Sequence, residues 1–361
     1  MITSPLRLLV TGVNSDFGQG FVKALRLSCA PMEIHGCDAS EVGIGPTFVE
    51  SFDTVPRSSA GKAYVDCLDR LCSKLGINAV LPASPPEIDA LCRLSSPPVL
   101  PCGVPVVCLS AQYRDVFDDK LLCFRALEGQ VELAPYADGA DPEMVRQLVA
   151  QSGFPVIVKR RTGQGGLSFH VVKREEELAL ALSATPGPIV QGFIDEEGGE
   201  YSIGVFAADG IQTAIAFRRR LARTGSSWSA ETVDDAEVLA YCEAIARASG
   251  LRGSANVQVR KSSKGVRLLE VNARFSSLAP ARACAGFRDV EWSVALAIGR
   301  TPDIPRGGYR SIRLQRFVHE MIDDGSGFAL IPEWTPGLRR PLAADSDASA
   351  PFENERFAKK F

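Results

Sequence analysis

The sequence predicts an α/β protein that opens with a doubly wound parallel sheet. Over the first 112 residues, short apolar runs alternate with amphipathic helical stretches, which is the pattern of strands joined by crossover helices. Beyond that point, strand-like runs come in pairs around glycine-rich or polar turns, which is the pattern of hairpins. The composition, 45% hydrophobic and 23% charged over 361 residues, is that of an ordinary globular chain long enough for more than one domain.

The elements follow in order. Residues 6–10 are a first strand, 11–20 a turn with three glycines, and an amphipathic helix runs on to about residue 28. Strands are expected at 32–37, 79–82 and 106–109, and helices at 60–75 and 86–94, which closes a first domain at 1–112. A helix at 119–127 and a second at 142–152, stopped by Gly153, lead to strands at 155–159 and 168–172 around a glycine-rich turn. A helix at 175–183 precedes strands at 188–193, 200–207 and 213–218. Asp234 is placed to cap a helix reaching Ser249, with Glu237 in the capping-box position and Gly250 and Gly253 ending it. Residues 256–259 and 268–274 form a hairpin, 290–298 an apolar helix, and 309–322 contains a last strand. From 323 to 361 Gly, Pro, Ala, Ser and Asp dominate, and a loosely ordered tail is expected.

Charge and cysteines narrow the setting. A net charge of −3 gives no footprint for a nucleic-acid partner. No apolar run approaches the roughly 18 residues that cross a bilayer, and residues 1–7 lack a signal-peptide layout. The ten cysteines show no CxxC spacing and are expected as reduced thiols in a cytoplasmic protein. His35, His170 and His319 lie far apart in sequence and near no cysteine cluster, which disfavours zinc.

Two stretches carry chemistry. In the 268–274 strand, alternation places Glu270, Asn272 and Arg274 on one face and Leu269, Val271 and Ala273 on the other. The hairpin brings Gln258 beside Glu270 and Asn272, three oxygen donors that suit Mg²⁺, with Arg274 able to grip a phosphate. The alternative is a half-exposed hairpin with a polar solvent face. Upstream, Lys159 ends a strand that runs into Arg160-Arg161-Thr162-Gly163-Gln164-Gly165-Gly166-Leu167-Ser168. Glycines let backbone N–H groups approach phosphates, and the lysine supplies a point charge. By contrast, Ser15 and Asp16 interrupt the first glycine cluster where a dinucleotide fingerprint needs glycines, and no Tyr-x-x-x-Lys pair is present. An NAD-dependent reductase is therefore disfavoured.

Asp119-Lys120, Lys159 with its loop, residues 191–194, Glu200, Arg218-Arg219-Arg220, Asn256-Val257-Gln258 and Glu270-Val271-Asn272-Ala273-Arg274 occur in one order. That order resembles the ATP-grasp superfamily, and within it the carbamoyl-phosphate-synthase-like carboxylate–amine ligases, over roughly residues 6–322. The resemblance implies a pre-ATP-grasp doubly wound sheet at 1–112. A two-subdomain α+β ATP-grasp fold would follow, with a small lid subdomain at 113–195 and a large subdomain at 196–322. It implies ATP, with Mg²⁺ or Mn²⁺. Lys120 and Lys159 would take the phosphates under Gly163, Gly165, Gly166 and Ser168. Gln191, Phe193 and Ile194 would flank adenine, and Glu200 would meet the ribose. Gln258, Glu270 and Asn272 would ligate metal, and Arg274 and Lys159 would act in catalysis. Gln191 stands where a hinge Glu is usual, Gln258 where many relatives carry Glu or Asp, and Arg160 where a proline is usual. The implied activity joins a small-molecule carboxylate to an amine through an acyl phosphate, releasing ADP and phosphate, in a possible homodimer. Bicarbonate activation and nucleotide binding without ligation stand as alternatives.

Overall fold

The computed structural model describes residues 5–28, 30–163, 169–195, 197–222, 227–305, 307–317, 321–323 and 328–330. Residues 1–317 form one compact unit and 318–361 a second.

The first unit begins with four parallel strands, β1 (Leu6–Val10), β2 (Met32–Asp38), β3 (Phe52–Thr54) and β4 (Ala79–Leu81), in the order β3-β2-β1-β4. Alternation splits the strands between two cores. Leu8 and Val10 point to α1 (Asp16–Arg26), while Leu9 joins Tyr64, Leu68 and Leu71 of α2 (Lys62–Leu75). Burial on both faces is what a doubly wound sheet requires. α3 (Pro85–Leu91) follows β4. The glycine cluster is a packing device. Ser15 caps α1 by accepting from Gly18 N and donates to Gly12 O, and a Cβ on Gly18 would lie 2.4 Å from that same carbonyl. The strand expected at 106–109 reduces to a single bridge, Val80 to Val106. Cys108 N bonds back to Val106 O at 3.1 Å, a tight turn that ends pairing at once.

A helix absent from the sequence reading, α4 (Ala111–Phe117), crosses the expected boundary at 112 and leads into α5 (Lys120–Leu127). Arg114 in α4 is buried and ties three segments together. It donates to Ala273 O at 3.1 Å and pairs with Asp89 and Asp118 at 2.6 and 2.8 Å. Asp118 in turn accepts from Ala273 N. Arg114→Met is expected to cost about 2–4 kcal/mol, because the partly buried Asp118 loses its counter-charge; chemical denaturation measures it.

The small subdomain holds β5 (Tyr136–Asp138), α6 (Pro142–Ser152), β6 (Val156–Arg160), β7 (Phe169–Val172), α7 (Glu175–Ala184) and β8 (Pro188–Gly192), with antiparallel strands in the order β5-β8-β6-β7.

The large subdomain is a six-stranded antiparallel sheet. Its strands are β9 (Glu200–Ala208), β10 (Ile211–Leu221), β11 (Ser227–Val233), β12 (Gly253–Ser262), β13 (Gly265–Asn272) and β14 (Arg313–Gln315), in the order β13-β12-β9-β10-β11-β14. One face packs on α5 and α8 (Ala236–Ala248) through Phe124, Ile203, Val257, Leu268 and Ile245. One end of the other face is covered by α9 (Ala279–Ala285) and α10 (Asp289–Ala297), through Phe206, Phe217 and Trp292. Its opposite end carries the polar residues of the site.

Two expectations change. Asp235, not Asp234, caps α8 by accepting from Val238 N. Glu237 turns away to Lys261 at 3.0 Å instead of closing a capping box. The strict alternation of β13 is broken by a bulge, since Gln258 faces Glu270 but Val259 faces Leu268. Leu268 and Val271 therefore fill the core, and Leu269 is displaced from the place alternation assigned it. In the second unit, β15 (Met321–Asp323) and β16 (Phe328–Leu330) form an antiparallel pair, so a short strand lies inside the expected tail. The remainder of the tail, 331–361, lies outside the described residues.

Candidate active site

Four elements deliver one cluster. Asp119 caps α5 through Leu121 N and Leu122 N and pairs with Arg161 at 2.8 Å, which fixes Lys120 at the helix start. Lys120 Nζ meets Glu270 Oε2 of β13 at 3.1 Å and donates to Gly163 O at 3.3 Å. Lys159, the penultimate residue of β6, donates to Gln191 Oε1 of β8 at 2.8 Å and to Leu269 O at 3.0 Å. Gln191 Nε2 bonds Leu268 O at 3.1 Å. The β13 bulge thus has a use: it offers two successive carbonyls that anchor the lysine and its amide partner. Asn272 donates to Glu270 Oε1 and accepts from Arg274 Nη2. The Arg274 guanidinium lies 4.6 Å from the Phe17 ring, a cation–π contact.

The electrostatics are those of a site that awaits negative charge. Burial, and after it the nearby Lys120, pushes Lys159 down to about 7. Its Gln191 partner is a neutral amide, so the hydrogen bond there brings no counter-charge to the ammonium. Burial pushes the Glu270 carboxyl up, but Lys120, the Asn272 amide and Lys159 outweigh it and hold it below the ordinary range. Burial lowers Arg274 to about 10. Three cations thus surround one carboxylate.

A second group lies on the same sheet face. Glu200 accepts from Arg219 at 2.6 Å and from Arg260 at 3.1 Å, and Gln258 Oε1 accepts from Arg219 at 2.7 Å. Arg260 also donates to Ile194 O. Phe193 is 41% exposed at the exit of β8, whereas Ile194 is buried. Of the residues named from sequence, Lys120, Gly163, Glu270, Asn272 and Arg274 are therefore joined directly, and Lys159 and Gln191 bond each other and the adjacent β13 carbonyls. Glu200 and Gln258 form a separate group around Arg219. Gly165, Gly166 and Ser168 lie outside the described residues. Sequence reasoning did not single out Arg219 within its arginine triplet, and it passed over Arg260 and Phe124, whose ring lies 5.7 Å from Lys159 Nζ. Strand alternation would have separated Arg219 from its exposed neighbours, Arg218 and Arg220.

The residues present fit a polyphosphate with a hard cation: clustered ammonium and guanidinium groups for the phosphates, and one carboxylate and one carboxamide for the metal. Among the described residues no group of three His, Cys, Asp or Glu side chains is placed to hold a metal by itself. All nine cysteines there are free, and no helix is long and apolar enough to cross a membrane.

The fold defines the class: this is the ATP-grasp fold, preceded by its parallel-sheet domain. Residues 189–316 match the family described as ATP-grasp in the biosynthetic pathway with Ter operon. The chain is 24% identical over 192 residues to the arginine-specific large chain of carbamoyl phosphate synthase from Geobacillus stearothermophilus. That match takes in 49% of this chain and 18% of the relative, so the chain spans about a fifth of that relative's length. Among solved structures, it is similar to the biotin carboxylase domain dimer of Hydrogenobacter thermophilus 2-oxoglutarate carboxylase, in complex with MgADP, ADP and bicarbonate. The TM-score is 0.68 at 15% identity, covering 84% of this chain and 72% of that one. The ADP complex of N5-carboxyaminoimidazole synthetase from Staphylococcus aureus gives 0.62 at 15%, covering 82% and 78%. The L-amino acid ligase of Bacillus licheniformis also gives 0.62 at 15%, covering 82% and 75%. At these identities the structures establish the fold alone.

Proposed function

We propose that the chain is an ADP-forming carboxylate–amine ligase working through an acyl phosphate. The carrying observation is the convergence of Lys120, Lys159 and Arg274 on Glu270 and Asn272. A substrate carboxylate oxygen attacks the γ-phosphorus of ATP and the bond to the β,γ-bridging oxygen breaks, giving an acyl phosphate and ADP. An amine then displaces phosphate and loses a proton, giving an amide. Lys120, Lys159 and Arg274 stabilise charge on the transferring group, which supplies most of the catalysis in phosphoryl transfer. Mg²⁺ or Mn²⁺, held by Glu270 and Asn272, would neutralise phosphate charge. Phe193 and Ile194 flank the adenine and Glu200 the ribose. A cytoplasmic homodimer completes the reading, in keeping with the H. thermophilus domain's description as a dimer.

The test is ADP and phosphate release with Mg-ATP over a panel of amino and hydroxy acids crossed with amines, with bicarbonate as one arm and Glu270→Ala as control. Equal release of ADP, phosphate and amide that needs both acid and amine, and is lost in the variant, is the expected result. Turnover with bicarbonate alone would replace ligation by carboxylation. A protein that binds no MgADP in calorimetry would end the ATP reading.

A further inference from the structure

We infer that Asp16 and Arg316 receive the ammonium and the carboxylate of a free α-amino acid, which makes that class the acid substrate. The inference rests on the ligase reading above and names its substrate class. Arg316 stands one residue past β14. It is held by its backbone N–H on Trp228 O at 2.9 Å and by Nη2 on Ser277 O at 2.7 Å. The rest of its guanidinium is underused. Nε is buried and has no hydrogen-bond partner among the described residues. Nη1 faces Asp16 Oδ2 at 4.0 Å, outside hydrogen-bond range.

Three contacts set this pair beside Arg274. The Arg274 guanidinium lies 4.6 Å from the ring of Phe17, the residue that follows Asp16 at the start of α1. Phe275 meets Phe21, one turn further along α1, edge to face at 5.3 Å. Ser277, the anchor of Arg316, lies just beyond Arg274 in the chain. The start of α1 and the 274–277 segment are thereby fixed against each other, and both arginines and Asp16 gather where they meet.

The chemistry of that gathering is specific. A guanidinium is matched to a carboxylate, and Arg316 Nη1 has N–H groups to give one. A carboxylate held beside Arg274 is also the group that must attack the γ-phosphorus. Asp16 is 69% exposed and offers an anion to an ammonium that lies one carbon from that carboxylate. Facing each other across 4.0 Å, the two side chains contribute little to stability. Opening the pair to admit a zwitterion therefore costs little, and the zwitterion returns a partner to each charge. An α-hydroxy acid, an N-acyl acid or bicarbonate brings a negative charge and no cation. Each would leave Asp16 against a like charge, a repulsive element that selects for the free amine.

The test is calorimetric titration of the MgADP-loaded chain with L- and D-amino acids, each matched to its α-hydroxy and N-acetyl analogues. At least one amino acid is expected to bind roughly tenfold or more tightly than both analogues, the effect of one charged hydrogen bond. Asp16→Asn should bring the three ligands within about threefold of one another. Arg316→Met should weaken the amino acid and its hydroxy analogue alike, by roughly tenfold. If Asp16→Asn keeps the wild-type selectivity, the pair is a surface contact alone and the inference is overturned. It is overturned equally by a chain that binds MgADP but no amino acid, or that binds hydroxy acids as tightly. If MgADP does not bind, the ligase reading falls and this inference with it; MgADP bound without selectivity for the free amine leaves that reading standing and removes only the inference.

Discussion

Lys159→Met is expected to lower ATP turnover by roughly 10²–10³-fold while leaving the fold as stable as before or more so. The two effects share one cause. The side chain is half-buried, and its partners, the Gln191 amide and the Leu269 carbonyl, are neutral. Lys120 repels it, and the pKa falls to about 7. In the unfolded chain the same lysine titrates near 10.4. Between those values the unfolded state binds more protons, so this lysine's penalty is full below about pH 7 and fades as pH rises toward 10. Methionine keeps the stem and removes the charge. Its stability advantage should therefore be largest near pH 6 and shrink by pH 9, which thermal unfolding at the two values reads directly. A variant several degrees less stable at both would show that the ammonium serves packing. The same logic predicts uptake of close to one proton when MgADP binds at pH 8, because phosphate charge restores the ammonium. Calorimetry in two buffers of different ionisation enthalpy measures that uptake, and the methionine variant should lack it.

The residues of this cluster were legible because they sit in local patterns. The polar alternation of 270, 272 and 274, the lysine closing an apolar run at 159 and the polar turn at 261–265 all announce themselves within a few positions. What stayed hidden depends on partners far along the chain. The bulge at Leu268–Leu269 shows in no local pattern, yet it provides the carbonyl that binds Lys159 across 110 positions. α4 carries an ordinary helical stretch, but its role is set by the Arg114 bond to Ala273, 159 positions away. Arg218, Arg219 and Arg220 are chemically equal in sequence. Alternation sets Arg219 apart from its exposed neighbours, but only the register of β10 against β9 places it beside Glu200. Asp234 and Asp235 differ by one residue of helix phase, and Lys261 on a neighbouring strand draws Glu237 away from the cap.

The largest loss of stability is expected from Asp289→Ala, a position outside the lysine cluster. Against β9 and β12, Arg282 and Asp289 are 0% and 1% exposed and pair at 3.0 Å. Arg282 also donates to Asn256 Oδ1 at 2.5 Å, Ser202 donates to that same oxygen, and Ser254 donates to Asp289. The backbone is fitted around this arginine, since a Cβ at Gly204 would lie 2.7 Å from its Cζ and Nε. Removing the carboxylate leaves a buried guanidinium without a counter-charge, a change that costs about 3–5 kcal/mol. Pairing Asp289→Leu with Arg282→Met should recover most of that loss, because a well-packed apolar pair is often as stable as the buried ion pair it replaces. The two outcomes separate charge from shape. Asn256 lies opposite Asn272 in the β12–β13 register, so the network also sets the strand that presents the Asn272 amide to Glu270. The apolar double variant is therefore expected to regain its melting temperature but bind MgADP more weakly than wild type. Full recovery of both would mean that the network is a core element alone. Recovery of stability without affinity would mean that the buried arginine holds Asn256, and through it Asn272, where the nucleotide site needs them.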